Sequence, residues 1–128
     1  MTINRRVGGA MIVLALIVGS VAVAPAASAD SSRTWVRNGG KVASASYDSS
    51  ANRFSVKDLR KDGLSVHVEY SFVDIHGVHR VYNRGGAGTT ATHYISVPRG
   101  ATKIQWRLVL QKGKTTMATD STYRTDSA

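Results

Sequence analysis

Leu64-Ser-Val-His-Val-Glu-Tyr-Ser-Phe-Val-Asp74 is the stretch that decides the fold. Val66, Val68, Tyr70 and Phe72 recur at a spacing of two, and Ser65, His67, Glu69 and Ser71 fill the alternate positions. Side chains of an extended strand point to opposite faces in turn. This stretch therefore predicts a β-strand with one buried face, made of the β-branched and aromatic residues that suit it. Asp62-Gly63 before it and Ile75-His76-Gly77 after it read as turns. Lys103 to Gln111 repeats the pattern, with Ile104, Trp106, Leu108 and Leu110 on one side and Lys103, Gln105, Arg107 and Gln111 on the other.

Working outward, Lys41 to Tyr47 alternates, with Ala43, Ala45 and Tyr47 on one phase. Asp48-Ser49-Ser50-Ala51-Asn52 is a run of turn formers, and Phe54 and Val56 resume the alternation, which predicts a first hairpin. Val78 to Asn83 and Tyr94 to Val97 predict further strands. Arg84 to Thr90 is a glycine-rich crossing, Pro98-Arg99-Gly100 a stop, and Thr115 to Tyr123 a threonine-rich edge strand. About seven strands and no helical period predict an all-β chain: a small antiparallel β-sandwich, loosely immunoglobulin-like, with a small barrel as the alternative. The expected core is the apolar phase of the two long strands with Phe54, Val56, Ile95 and Val97.

The N-terminus carries Arg5-Arg6, an apolar run from Ala10 to Ala24, Pro25, and then Ala27-Ser28-Ala29. That is the order of a secretory signal peptide over residues 1–29, cut before Asp30, which predicts an exported protein with no stable membrane anchor after cleavage. Residues 30–40 are polar and aperiodic, so they are expected to form a flexible arm ahead of a domain spanning 41–128. Arg33, Trp35, Val36 and Arg37 in that arm are the candidate partner-binding residues. Trp35 is the anchor, docking either on its own domain or on a partner.

The 128 residues include 17 basic and 8 acidic side chains and no cysteine. Apolar packing must therefore hold the domain without disulfides. A basic exported protein is drawn to anionic envelopes or acidic partner surfaces. Sparse aromatic interleaving and export argue against nucleic acid. His76-Gly77-Val78-His79, with His67 and His93, lacks the converging ligand set of a zinc site, so these histidines are expected to be exposed and no metal or cofactor is expected. No Gly-x-Ser-x-Gly elbow or paired carboxylates support an enzyme. Gly85-Gly86-Ala87-Gly88 is not expected to be a phosphate cradle, because no Lys-Ser pair and no helix follow it; a tight β-crossing is expected. Asp58 and Arg107 are expected either to pair between strands or to be solvated separately.

Phe54-Ser55-Val56-Lys57-Asp58, then Asp62-Gly63, an alternating strand, a Gly-x-Gly loop and Trp106-Arg107, resembles a group of small secreted actinobacterial proteins. Many of these carry a Val-Cys-Asp triplet before Asp-Gly and a second cysteine after a late arginine. Here Lys57 stands at the first position and no cysteine stands near Val109, so the resemblance is to a disulfide-free member. Some of that group look like the adaptor subunit of umbrella toxin particles. The resemblance implies a non-enzymatic protein-binding module, an adaptor or accessory subunit of an exported antibacterial assembly, with its mobile arm engaging other secreted proteins. The competing expectations are a protease inhibitor presenting Tyr82 to Thr92 and a cationic envelope-binding protein.

Overall fold

The structure, a computed structural model, describes residues 31–128. The expected signal peptide and Asp30 lie outside the described residues. The two deciding stretches become β4 (Ser65–Phe72) and β7 (Lys103–Lys112), paired antiparallel with Val66 opposite Leu110, Val68 opposite Leu108, Tyr70 opposite Trp106 and Phe72 opposite Ile104. This register sets apolar residue against apolar residue, so two stripes merge into one inner face. β5 (Ile75–Asn83) lies on the far side of β4. β8 (Thr115–Thr119) and β9 (Arg124–Ser127) follow one another along the free side of β7.

The facing sheet has the order β1-β2-β3-β6, from β1 (Ser31–Arg37), β2 (Gly40–Asp48), β3 (Arg53–Asp58) and β6 (Thr90–Tyr94). The result is an all-β, two-sheet antiparallel sandwich with a β1-β2-β3 meander that β6 extends by crossing back. Ala43, Ala45, Tyr47, Phe54 and Val56 pack inward on Val66, Val68, Trp106, Leu108 and Leu110. The Phe54 ring meets Trp106 edge-on at 5.7 Å and Tyr47 at 4.7 Å. Burying each such large side chain contributes roughly 1.5–3 kcal/mol. Ile95 and Val97 are partly buried against this core.

Nine strands form among the described residues rather than about seven. The expected Tyr94 to Val97 strand is displaced to Thr90–Tyr94, the Thr115 to Tyr123 strand is shortened to β8 (Thr115–Thr119), and a further strand, β9, begins at Arg124. The largest correction concerns residues 30–40. Residues 31–37 are not a flexible arm but an edge strand paired along its length with β2, with a bulge between Trp35 and Val36, through a tight turn at Asn38-Gly39, both in the left-handed region.

Both open sides of the sandwich are closed by polar clamps. On one side the Ser31 hydroxyl and the Trp106 indole N–H both donate to Asp126 Oδ2, the latter at 2.9 Å. Arg33 forks onto Asp120 at 2.7 and 3.0 Å, and this hydrogen bonding raises the arginine's pKa despite partial burial. On the other side Asn83, 1% exposed, donates to the carbonyls of Val56 and Thr89 at 2.9 and 2.7 Å. It also accepts from the Gly85 amide and the Thr89 hydroxyl. His93 Nε2 donates to the Tyr82 carbonyl beside it at 2.7 Å.

Candidate functional site: a basic pole

The candidate residues of the N-terminal segment separate. Trp35 is 9% exposed and belongs to the domain's own core, and Arg33 is consumed by Asp120. Val36 and Arg37 alone remain free for a partner, and both lie at the β1–β2 turn. Neither alternative for Asp58 and Arg107 holds: Asp58 is buried on the inward face of β3, while Arg107 lies on the opposite phase of β7 from the buried Trp106 and Leu108 and pairs with Glu69. Asp58 follows Phe54 and Val56 on the inward phase of β3, and its Oδ1 accepts the Arg60 amide at 3.1 Å. Burial raises its pKa, the neighbouring carboxylate of Asp62 adds to this, and the Arg60 amide opposes both. Arg107 instead reaches Glu69 at 3.1 Å and lies 4.8 Å from the centre of the Tyr123 ring. Glu69 also takes Arg80, at 2.9 Å; burial would lift the carboxyl, but the two arginines' hydrogen bonds outweigh it and its pKa is lowered.

Of the histidines expected to be exposed, His76 and His79 are, His93 is half-buried, and His67 is buried. It sits on the outer face of β4 yet is 2% exposed, between Val109 and the Tyr82 ring at 5.0 Å, with neither ring nitrogen hydrogen-bonded. Burial lowers its pKa, Glu69 opposes and Arg80 reinforces the effect. A base with a depressed folded pKa is protonated more readily in the unfolded chain. Its share of stability is therefore intact above about pH 6.5, the ordinary histidine value, and is lost as pH falls below it. The measured melting temperature is expected to drop on acidification from pH 7 to 5 more steeply in the wild type than in His67→Leu. Parallel curves would show that His67 contributes nothing to acid sensitivity. No group of three or more metal-ligating side chains converges among the described residues.

The site that the fold builds was not singled out from the sequence. Strand direction brings the β1–β2, β3–β4, β5–β6 and β7–β8 connections to one end of the sandwich. Leu59 N–H donates to the Val42 carbonyl at 3.1 Å, and Gly88 N–H to the Asp58 carbonyl at 2.8 Å, which ties three of the four together. This end carries Arg37, Lys41, Arg60, Lys61, Arg84, Lys112 and Lys114. None of them takes part in an ion pair; the four pairs among the described residues, Arg33–Asp120, Arg53–Asp48, Arg80–Glu69 and Arg107–Glu69, lie elsewhere. The end's two carboxylates are both engaged in turn hydrogen bonds, Asp58 to the Arg60 amide and Asp62 to the Leu64 amide at 2.9 Å.

Two concavities open here. A cleft of about 390 Å³ lies between the β3–β4 and β5–β6 connections, lined by Arg60, Lys61 and Arg84 with Asp58, Asp62, Gly86 and Ala87. A depression of about 500 Å³ adjoins it across Ser65 and Arg84 and adds Tyr82, Gln111 and Lys114. The Arg84 guanidinium stacks over Tyr82 at 4.7 Å, which fixes it on the divide. The Arg60 guanidinium lies across Gly40, where a side chain would displace it. Like charges gathered in unpaired form raise the local potential and draw anions. The sequence spreads these residues over four separate segments, and only the parity of the strand crossings places them together.

Scans of family models and searches of curated proteins and solved structures found no match.

Proposed function

We propose that this is an exported, non-enzymatic binding module whose working surface is the basic pole and whose partner is acidic. The observation that carries it is charge segregation: every ion pair among the described residues lies away from the pole, and the pole's own basic side chains are left uncompensated. Leaving so many like charges together is unfavourable for the folded chain alone, and an acidic partner relieves it. The biological setting suggested by the sequence resemblance is an adaptor or accessory subunit of an exported assembly, with contact moved from the N-terminal strand to the pole. Val36 and Arg37 still contribute, from the β1–β2 turn.

The inhibitor alternative is less well supported. An inhibitory loop is presented outward, whereas the connection within Tyr82 to Thr92 is pulled inward by Asn83 and closed on itself by a Thr89 amide to Gly86 carbonyl bond.

The test is affinity purification of the C-terminally tagged protein from its culture medium, beside a variant carrying Arg37→Gln, Lys41→Gln, Arg60→Gln and Lys61→Gln. Retention of acidic partners by the wild type and their loss from the variant is the expected result. Equal recovery by both would overturn the assignment of the pole.

A further inference from the structure

We infer that the pole's ligand is a linear phosphate-bearing polyanion, bound with successive phosphates in the cleft and the adjoining depression. This rests on the pole being the working surface. The geometry distinguishes a thin charged chain from the acidic face of a folded protein. The two basins are concave and adjoin across Ser65 and Arg84, so charges repeating along a flexible chain can occupy both at once. A carboxylate on a convex protein surface meets the rims and leaves the floors empty.

The chemistry of the cleft favours phosphate over carboxylate. Arg60 and Arg84 offer planar donor forks and Lys61 a point charge. The backbone amides of Lys61, Gly63, Gly86 and Ala87, all on the cleft wall, donate to no acceptor among the described residues. Gly63 and Gly86 hold left-handed conformations there, at φ of 75° and 86°. Free amides in such turns form anion-binding concavities, and a phosphate has enough acceptor oxygens to take them together with a guanidinium. This departs from the expectation that the glycine stretch is no phosphate cradle: the cations are not those of a following helix but Arg84 of the same connection with Arg60 and Lys61 of the neighbouring one. The Asp58 and Asp62 carboxylates on the same wall are already bound to the Arg60 and Leu64 amides.

The experiment measures binding of the exported chain to labelled long-chain inorganic polyphosphate and to poly-L-glutamate of matched length, across a range of sodium chloride concentrations. Polyphosphate is expected to bind at least tenfold more tightly. If three or four phosphates are engaged, its log affinity should fall with log salt at a slope of about −2 to −3, by the counterion release seen with single-stranded polyanions. The double variant Lys61→Gln, Arg84→Gln should lose about tenfold and flatten that slope by roughly one unit or more, since each lost contact removes about 0.7. Arg99→Gln, Lys103→Gln at the opposite end should change neither, and tryptophan fluorescence checks that every variant is folded. If poly-L-glutamate binds as tightly as polyphosphate, the phosphate inference fails while the pole survives as a general acid-binding surface. If neither polymer binds, or the opposite-end variant loses as much as the pole variant, the pole itself is not the working surface.

Discussion

A chain lacking residues 30–40 is expected to emerge unfolded, not trimmed. Deletion removes β1 and with it Trp35 from the core, and it strips Asp120 and Asp126 of Arg33 and Ser31. Replacing a buried tryptophan by alanine alone costs about 3–5 kcal/mol. Leaving the buried Asp120 carboxylate without its arginine adds a penalty of similar size, about 3–5 kcal/mol when one partner of a buried pair is lost. Against a total stability of roughly 5–15 kcal/mol, the deletion removes most or all of it. Trp35→Ala, the milder change, should stay folded at low temperature and lose a large part of its urea midpoint, followed through the fluorescence of Trp106. A deletion variant with an unchanged midpoint would show that β1 is dispensable and would return the N-terminal segment to the role of a partner-binding arm.

Asn83→Ala is expected to be the most damaging single change among the polar residues. The Asn83 amide closes the β5–β6 side of the sandwich with four hydrogen bonds to Val56, Gly85 and Thr89. Truncation leaves buried carbonyls and an amide without partners, at roughly 1–3 kcal/mol for each group that water cannot reach. Asn83→Asp separates the two halves of the interaction: it keeps the acceptor that holds Gly85 and Thr89 but replaces the donor facing two carbonyls with a second oxygen. Both variants should lower the thermal midpoint by well over 10 °C, taking about 4–8 °C per kcal/mol for a domain of this size. They should also weaken anion binding at temperatures where they remain folded, because Asn83 sets the connection that carries Arg84, Gly86 and Ala87. A variant with wild-type stability would mean that the loop is held by its backbone contacts alone.

The sandwich was legible because its core strands alternate: Val66, Val68, Phe72, Ile104, Trp106, Leu108 and Leu110 are buried as their phase predicts and Tyr70 is partly buried with them, although His67 and Val109 are buried on the other phase. β1 was not, for a physical reason. Its inward phase is Ser31, Arg33 and Trp35, and at this margin of the sandwich two of the three meet buried carboxylates instead of apolar side chains. A polar clamp leaves no hydrophobic period to read. Asp58 misled in the opposite way, since its charge suggested solvent while its parity with Phe54 and Val56 marked the inward face. His67 fell on the outer phase as expected, but Tyr82 and Val109 across the neighbouring strands cover it, and neighbours from other strands are invisible along one stretch of chain. The basic pole was equally hidden. Its charges were counted, but their clustering depends on which turns share an end.

The same topology fixes how the protein can be held. Ser31, where the described chain begins, and Asp126, near its end, are hydrogen-bonded to each other at the end opposite the basic pole. A partner that covers the Ser31–Asp126 end therefore leaves the cationic end uncovered.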